Sequence, residues 1–401
     1  MKTLVLNCGS SSIKYKLFEM ESKKVIAQGG IEKIGLSGSF LKLVDSTGEK
    51  ISIAKDIAGH EEGICLILSV LTDEPYGCIK SYNEIDAIGH RIVHGGEKFS
   101  SSMLINEEVI EKVVECCELA PLHNPANLEG IYAMQKILPG TPQVAVFDTA
   151  FHQTMPDYAY MYGLPFELYK KYGIRRYGFH GTSHRYVSHR ACEILNVPYE
   201  QQRIITAHIG NGGSITAIQS GKSVDTSMGL TPVEGLLMGT RCGDVDPGVL
   251  TFLISKEGLD YVGLCNLMNK KSGVLGISGV SSDMRELDAA VKEGNLRADL
   301  AMKMYGYRIK KYVGSYAAAM GGVDILVFTG GVGENQASMR KAVCENMEYM
   351  GICFDDAINN ATRGKEMVIS TPESQVTVII VPTDEEYVIA SDTQAVLGCK
   401  S

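Results

Sequence analysis

Apolar and polar positions follow the same pattern in two stretches of the chain lying about two hundred residues apart. In the first, Leu4-Val5-Leu6 runs into Asn7-Cys8-Gly9-Ser10-Ser11-Ser12, and alternation resumes through Ile13, Tyr15 and Leu17. In the second, Ile204-Ile205 and then Ala207 and Ile209 run into Gly210-Asn211-Gly212-Gly213, and alternation resumes at Ile215 and Ala217. Each predicts a strand, a turn without bulky side chains and a second strand. Such a turn lets backbone N–H groups and hydroxyls converge on an anion, because no Cβ blocks the approach. A single glycine-rich hairpin is more often only a hairpin. Two in matching contexts predict a duplicated domain whose halves face one nucleotide.

The remaining pattern fits two α/β domains. Short strands are expected at residues 24–31, 40–45 and 50–54, a helix at 60–71 and a strand at 85–90 ending in a glycine-rich loop. Asn106 is placed to cap a helix whose first turn holds Glu107 and Glu108, with Val109, Val113 and Cys117 as its apolar stripe. Asn124-Pro125 opens another helix, and Gln143 to Phe147 is an apolar strand ending at Asp148. The second half predicts strands at 203–209 and 213–219 and helices near 246–256, 260–269 and 281–293. A long helix at 296–320 should stop at Gly321-Gly322, before a strand at 325–328. A strand at 376–381 and a helix at 385–397 close the chain. Strands followed by alternating helices and strands, twice over, indicate mixed sheets.

At 401 residues the chain is too long for one ordinary core. The net charge of −9 argues against a nucleic-acid partner, though not against a local basic pocket. No apolar run approaches the ~20 residues of a membrane helix, and Met1-Lys2-Thr3 enters a strand without a signal-peptide pattern. The eleven cysteines are scattered without a Cys-x-x-Cys pair. Neither a zinc site nor a redox motif is indicated, and free thiols in a reducing cytoplasm are the economical reading.

Six segments could carry chemistry. Arg91, in Gly89-His90-Arg91-Ile92-Val93-His94-Gly95-Gly96, suits bidentate binding of a carboxylate or phosphate, or is a surface arginine in a loop. Asp148 either caps a turn or faces a ligand from a strand's carboxyl end. Arg175-Arg176-Tyr177-Gly178-Phe179-His180 is a basic turn before a helix capped by Thr182 or Ser183, and His180 is not placed like a surface residue. Residues 225–248 form a long loop too apolar to be disordered, with Arg241 between Gly239 and Gly243. Thr329-Gly330-Gly331-Val332-Gly333-Glu334-Asn335 links a buried strand to a helix expected to begin near Asn335, a geometry suited to phosphates, but it is neither a Walker A loop nor a Rossmann fingerprint. Asp384, Glu385 and Glu386 open the last helix, where the helix dipole alone accounts for them.

Together these segments resemble the acetate kinase family, within the superfamily of acetate and sugar kinases, Hsp70 and actin. Asn-Cys-Gly-Ser-Ser-Ser-Ile-Lys at 7–14 and His-Ile-Gly-Asn-Gly at 208–212 are similar to the two family signatures. The resemblance covers essentially the whole chain. It implies two duplicated ribonuclease H-like (actin-like ATPase) domains with mixed sheets and a nucleotide cleft between them. The N-terminal domain would be residues 1–150, completed by the C-terminal helix 385–401. The nucleotide-binding domain would be residues 151–384.

By the same resemblance, Asn7 and Glu385 would hold Mg²⁺ (or Mn²⁺) and Lys14 would bind the nucleotide phosphates. Arg91 would hold the acyl carboxylate, with Val93, Leu122 and Pro232 as the pocket for the acetate methyl. Asp148, His180 and Arg241 would be catalytic. His208, Ile209, Gly210, Asn211 and Gly212, then Asp283, Met284 and Arg285, and Gly331, Val332, Gly333, Glu334 and Asn335 would line the ATP site. Asp384 stands where the family pattern has Asn, which should be tolerated. The implied enzyme is a cytoplasmic homodimer that reversibly transfers the γ-phosphoryl group of ATP to acetate by direct in-line attack, giving acetyl phosphate and ADP.

Acetate titrates near the carboxylate range, about 4, so it is ionised at neutral pH and needs no general base. Asp148 is therefore expected to position acetate or a metal-bound water. A propionate or butyrate kinase on the same scaffold is the nearest alternative, and some propionate activity is expected, since one methylene is worth only ~1–3 kcal/mol. A pyrophosphate-dependent relative is disfavoured because Gly330, Gly331 and Gly333 leave room for adenosine. An actin- or Hsp70-like ATPase would need filament contacts or a peptide-binding domain for which no segment is spare. Two nucleotide-facing halves also predict domain closure over the substrates.

Overall fold

The computed structural model describes residues 1–44 and 48–398, so Asp45 of the expected strand 40–45 and the end of the segment 385–401 lie outside the described residues. The chain divides into two compact units, one of Met1–Ala150 with Asp384–Ser401 and one of Phe151–Thr383.

The first unit is built on an eight-stranded mixed sheet. Its strands are β1 (Lys2–Gly9), β2 (Ser12–Glu19), β3 (Lys24–Glu32), β4 (Phe40–Val44), β5 (Lys50–Ala54), β6 (Ala87–Ile92), β7 (Met103–Leu104) and β8 (Gln143–Phe147), in the order β5-β4-β3-β2-β1-β6-β8-β7. Alternation on β1 sorts the two faces. Leu4, Leu6 and Cys8 pack with Ile64, Ile67 and Met134 of helices His60–Thr72 and Asn124–Ile137, while Val5 packs with Ile389 of helix Glu385–Val396. β8 is buried along its whole length, which explains why it reads as an unbroken apolar run.

The second unit holds β9 (Arg203–Ile209), β10 (Gly213–Gln219), β11 (Lys222–Thr226), β12 (Ile325–Thr329), β13 (Met367–Val368) and β14 (Thr377–Ile380), in the order β11-β10-β9-β12-β14-β13. Ile205, Ala207 and Ile209 pack against Tyr305, Ile309 and Val313 of the long helix Leu296–Met320, and Ile204 packs with Val187 and Ala191 on the other face. The runs β3-β2-β1-β6-β8 and β11-β10-β9-β12-β14 match in order and direction. In each, two antiparallel pairings precede two parallel ones. The two-fold pattern in the sequence is thus a two-fold topology.

Several elements differ from their expected form. β6 runs two residues further than the strand expected at 85–90, so Arg91 belongs to the strand and is not in the loop after it. The stripe of helix Glu107–Glu115 continues through Cys116 and not Cys117, because the chain tightens into a 3₁₀ turn at Cys116–Glu118. Helix Gly181–Leu195 is capped by His180 in the left-handed conformation, φ 57°, and the expected caps Thr182 and Ser183 are buried within its first turn. The glycines after β12 are themselves helical, Gly330–Asn335, so that helix starts earlier than Asn335. Helix Met284–Lys292 starts later than 281 because Asp283 caps it, accepting from Arg285 N at 2.8 Å. Among the described residues no helix is long and apolar enough to cross a membrane.

Candidate functional site

In the first unit, parallel pairing sets Arg91 of β6 beside Val146 and Ile92 beside Phe147, and Asp148 N donates to Ile92 O at 3.0 Å. Register therefore brings the Arg91 and Asp148 side chains together. Arg91 Nε donates to both Asp148 oxygens at 3.1 Å, and Nη2 donates to Oδ2 at 2.5 Å. Its remaining arm, Nη1, donates to Asn7 Oδ1 at 3.2 Å. Asp148 is 1 % exposed and keeps its charge company with this one guanidinium. Burial opposes the Arg91 charge, but Asp148, Glu385 and Glu386 more than reverse that, so Arg91 is held above its ordinary value.

Lys14 is the cross-strand partner of Asn7 on the β1–β2 hairpin, and its side chain is exposed. Glu385, the first residue of the last helix, has its carboxyl pushed up to about 7 by burial, with Arg91 pulling it down and Asp148 and Glu386 adding to the rise. Arg91, Asp148, Glu385 and Lys14 thus act on one another's charges, with the neutral amide of Asn7 bound to Arg91. The glycine turn beside Asn7 is fixed from outside: Asn127 Nδ2 donates to Cys8 O at 2.6 Å and His60 Nε2 lies 2.7 Å from Gly9 O. Asn127 Oδ1 also accepts from Val93 N at 3.1 Å, tying the loop after β6 to the same helix. Val93 is buried, whereas Leu122 is 59 % exposed.

In the second unit, His180 and Arg241 approach one glycine. A Cβ on Gly212 would lie 3.3 Å from Arg241 Nη1 and 3.8 Å from His180 Cε1. His180 stacks on His208 with ring centroids 4.2 Å apart, and its Nδ1 lies 2.9 Å from Ser214 Oγ. Gly178, φ 73°, makes this possible: a side chain there would strike Thr226 and His152. Arg241 donates weakly to Pro232 O at 3.4 Å and to Met238 Sδ at 3.8 Å. No carboxylate among the described residues pairs with it, and burial lowers its pKa. A half-buried guanidinium with no carboxylate beside it is suited to an anion, since withdrawing a charge from water is costly unless it is paired.

A pocket of about 520 Å³ lies in the same unit, lined by Gly210, Asn211, Asp283, Met284, Arg285, Gly331, Val332 and Asn335, together with Ser282, Gln336 and Arg363. Its volume suits a nucleoside. Ile209 and Gly333 are buried behind it, and His208 and Gly212 lie on the His180 side. Glu334 turns inward: its Oε1 accepts from Gly330 N at 2.9 Å and Thr383 N at 3.1 Å, bracing the glycine helix. Sequence reasoning missed Ser282, Gln336 and Arg363, which belong to no glycine or histidine motif. It also missed Ser214, an inward position of an alternating strand.

A family model described as the acetokinase family matches residues 2–391. The acetate kinase of Parabacteroides distasonis is 72% identical over 400 residues, covering 100% of both chains. That of Bacteroides thetaiotaomicron is 66% identical over 397 residues, covering 99% of this chain and 100% of the relative. The crystal structure of Porphyromonas gingivalis acetate kinase aligns with a TM-score of 0.96 at 68% identity, covering 99% of each chain. A propionate kinase structure from Francisella tularensis aligns with a TM-score of 0.92 at 42% identity, covering 98% of this chain and 99% of that one.

Proposed function

The chain belongs to the acetokinase family, and from that premise we propose how its residues divide the work of making acetyl phosphate. It is an acetate kinase that phosphorylates acetate with ATP. Arg91 orients the acetate carboxylate, which is already the nucleophile at neutral pH. Asp148 acts through Arg91, since both its oxygens accept from that guanidinium. Lys14 binds the nucleotide phosphates, and the 520 Å³ pocket takes the nucleoside. His180 and Arg241 stabilise the charge that spreads over three phosphoryl oxygens during in-line transfer. The observation that carries this assignment is the half-buried Arg241 guanidinium, which has no carboxylate partner among the described residues and suits an anion.

The donor set at Asn7 and Glu385 fits Mg²⁺. Both offer hard oxygen, and the Glu385 carboxyl, pushed up by burial and further by Asp148 and Glu386, would be favoured in its charged form by a divalent cation. Among the described residues no group of three or more His, Cys, Asp or Glu side chains is arranged for a metal, so the other ligands of the ion would be water and phosphate oxygens. When bound, Mg²⁺ supplies positive charge to the phosphates. We place the reaction in the cytoplasm, where its substrate ATP is found.

Val93, Leu122 and Pro232 are assigned to the acetate methyl. Acetate is the preferred acceptor, with propionate used less well, because an extra methylene costs only ~1–3 kcal/mol. ADP release measured with acetate, propionate and butyrate tests this. ATP hydrolysis indifferent to every carboxylate would refute it.

A homodimer is the proposed assembly. Helices Pro247–Glu257 and Tyr261–Lys270 bury none of their residues within the chain and expose Phe252, Ile254, Tyr261 and Val262. Two consecutive helices of that kind call for a covering surface, and a second copy supplies one. Light scattering should give twice the 43.5 kDa chain mass. Phe252→Glu should shift the protein toward the monomer, and an unchanged mass would discard this face as the contact.

A further inference from the structure

Four histidine rings pack together in the second unit, and two of them are joined to a chain of hydroxyls that leads to His180. His184 Nδ1 lies 2.6 Å from Thr206 Oγ1, and His184 Nε2 lies 2.7 Å from Ser214 Oγ. Ser214 Oγ in turn lies 2.9 Å from His180 Nδ1. Thr206, His184 and Ser214 are all fully buried. Thr206 and Ser214 stand on β9 and β10, and His184 on the helix that His180 caps, so rigid elements hold the chain.

Proton counting gives this chain a direction. His184 is neutral, because burial, reinforced by His152 and His208, lowers its pKa well below the ordinary value. It therefore has one N–H to share between two hydroxyl partners. If that proton sat on Nδ1, Thr206 would have to accept it. The Thr206 hydroxyl proton would then be buried without an acceptor, since His184 is its hydrogen-bond partner among the described residues. In the other direction every proton is used. Thr206 donates to His184 Nδ1, His184 Nε2 donates to Ser214, and Ser214 donates to His180 Nδ1.

We propose that Ser214, backed by His184 and Thr206, is a positioning residue that holds His180 as the neutral tautomer with its proton on Nε2, aimed at a transferring phosphoryl oxygen. The Nε2 edge of His180 faces Gly212, beside Arg241 Nη1. Two further rings lie near it, His208, stacked on it, and His184 behind Ser214. His180 thus donates a hydrogen bond without needing to be an imidazolium, leaving the positive charge to Arg241. The inference rests on the reading that His180 faces the phosphoryl group.

The test is long-range ¹H–¹⁵N correlation on ¹⁵N-histidine-labelled protein at pH 8, with the His180 signal assigned by its loss in His180→Ala. The expected pattern is protonated Nε2 and bare Nδ1. Thr206→Val keeps the shape of the side chain and removes the donor. His184 then has an acceptor for its one N–H only at Ser214, so the chain should keep its direction and His180 its tautomer, with kcat and KM for acetate and ATP within about threefold of the parent. Ser214→Ala removes the donor to His180 Nδ1: the Nδ1 ¹⁵N resonance should shift, kcat should fall about tenfold with both KM values within about threefold, and the substitution should add nothing in a His180→Ala background. A wild-type His180 protonated on Nδ1, or a Ser214→Ala variant in which neither the His180 Nδ1 resonance nor kcat moves, would overturn the proposal. A His180→Ala variant with wild-type kcat would instead remove the role of His180, whatever its tautomer.

Discussion

Arg91 and Asp148 are each visible in the sequence as a charged residue at the end of an apolar run, but neither segment reveals that they belong together. Their pairing follows from the register of β6 on β8, a tertiary fact that no local pattern encodes. The pairing also changes what Asp148 does. A carboxylate with both oxygens engaged by one guanidinium orients that guanidinium. Asp148→Asn would keep an acceptor and a donor in place while removing the charge that balances Arg91. Turnover should fall on the order of a hundredfold, with unfolding still cooperative. A coupled assay for ADP reads this directly, and wild-type turnover in the variant would dismiss the carboxylate. Glu334 was legible only as part of a glycine-rich run, and its bonds to Gly330 N and Thr383 N make it a brace for that run.

At the scale of elements, the strands and helices with strong periodicity were legible nearly to the residue, as with β9, β10 and helix Leu296–Met320. Boundaries moved where a special conformation intervened, as at His180, whose left-handed backbone displaced the expected caps. Least legible was the support beneath the glycine helix. Arg340 sits in a helix where a lone arginine reads as surface, yet it is fully buried. It donates to Gly333 O, Asn359 Oδ1, Asn359 O and Thr362 O at 2.8–2.9 Å. Burial lowers its pKa to about 10, and these acceptors are all neutral. Arg340→Met would fill most of the volume and leave three carbonyls unpaired. At ~1–3 kcal/mol for each buried unsatisfied group, a loss of at least about 3 kcal/mol is expected, with a raised KM for ATP because Gly333 anchors the pocket wall. Urea unfolding and ATP saturation curves measure the two effects. A midpoint equal to that of the parent protein would refute the brace.

For the whole molecule, duplication was the most legible property, because two similar strand–turn–strand patterns fold into two sheets of like order. Each unit buries neutral histidines deep in its core, and this couples the stability of both to pH. His90 in the first unit and His152 in the second have pKa values pushed down to about 4 by burial, and His184 lies well below its ordinary value for the same reason. An unfolded histidine takes up a proton near 6.5, so below that pH the unfolded chain binds protons that the folded chain refuses. Stability is therefore fully present above about 6.5 and is lost progressively as the pH falls toward 4. Glu385 acts in the opposite sense between about 7 and 4.5, and Asp225 does so above its ordinary 3.8, because burial holds both carboxyls up in the folded state, but they are two groups against three. The urea midpoint should decline steadily from pH 7 to pH 4.5. His90 Nε2 lies 2.7 Å from Gln143 Oε1, so His90→Gln can keep a donor there while removing one titrating ring, and its midpoint should fall less steeply over the same range. Parallel pH curves for this variant and the parent protein would exclude His90 as a contributor, and a parent midpoint that stays flat to pH 4.5 would exclude the buried histidines altogether.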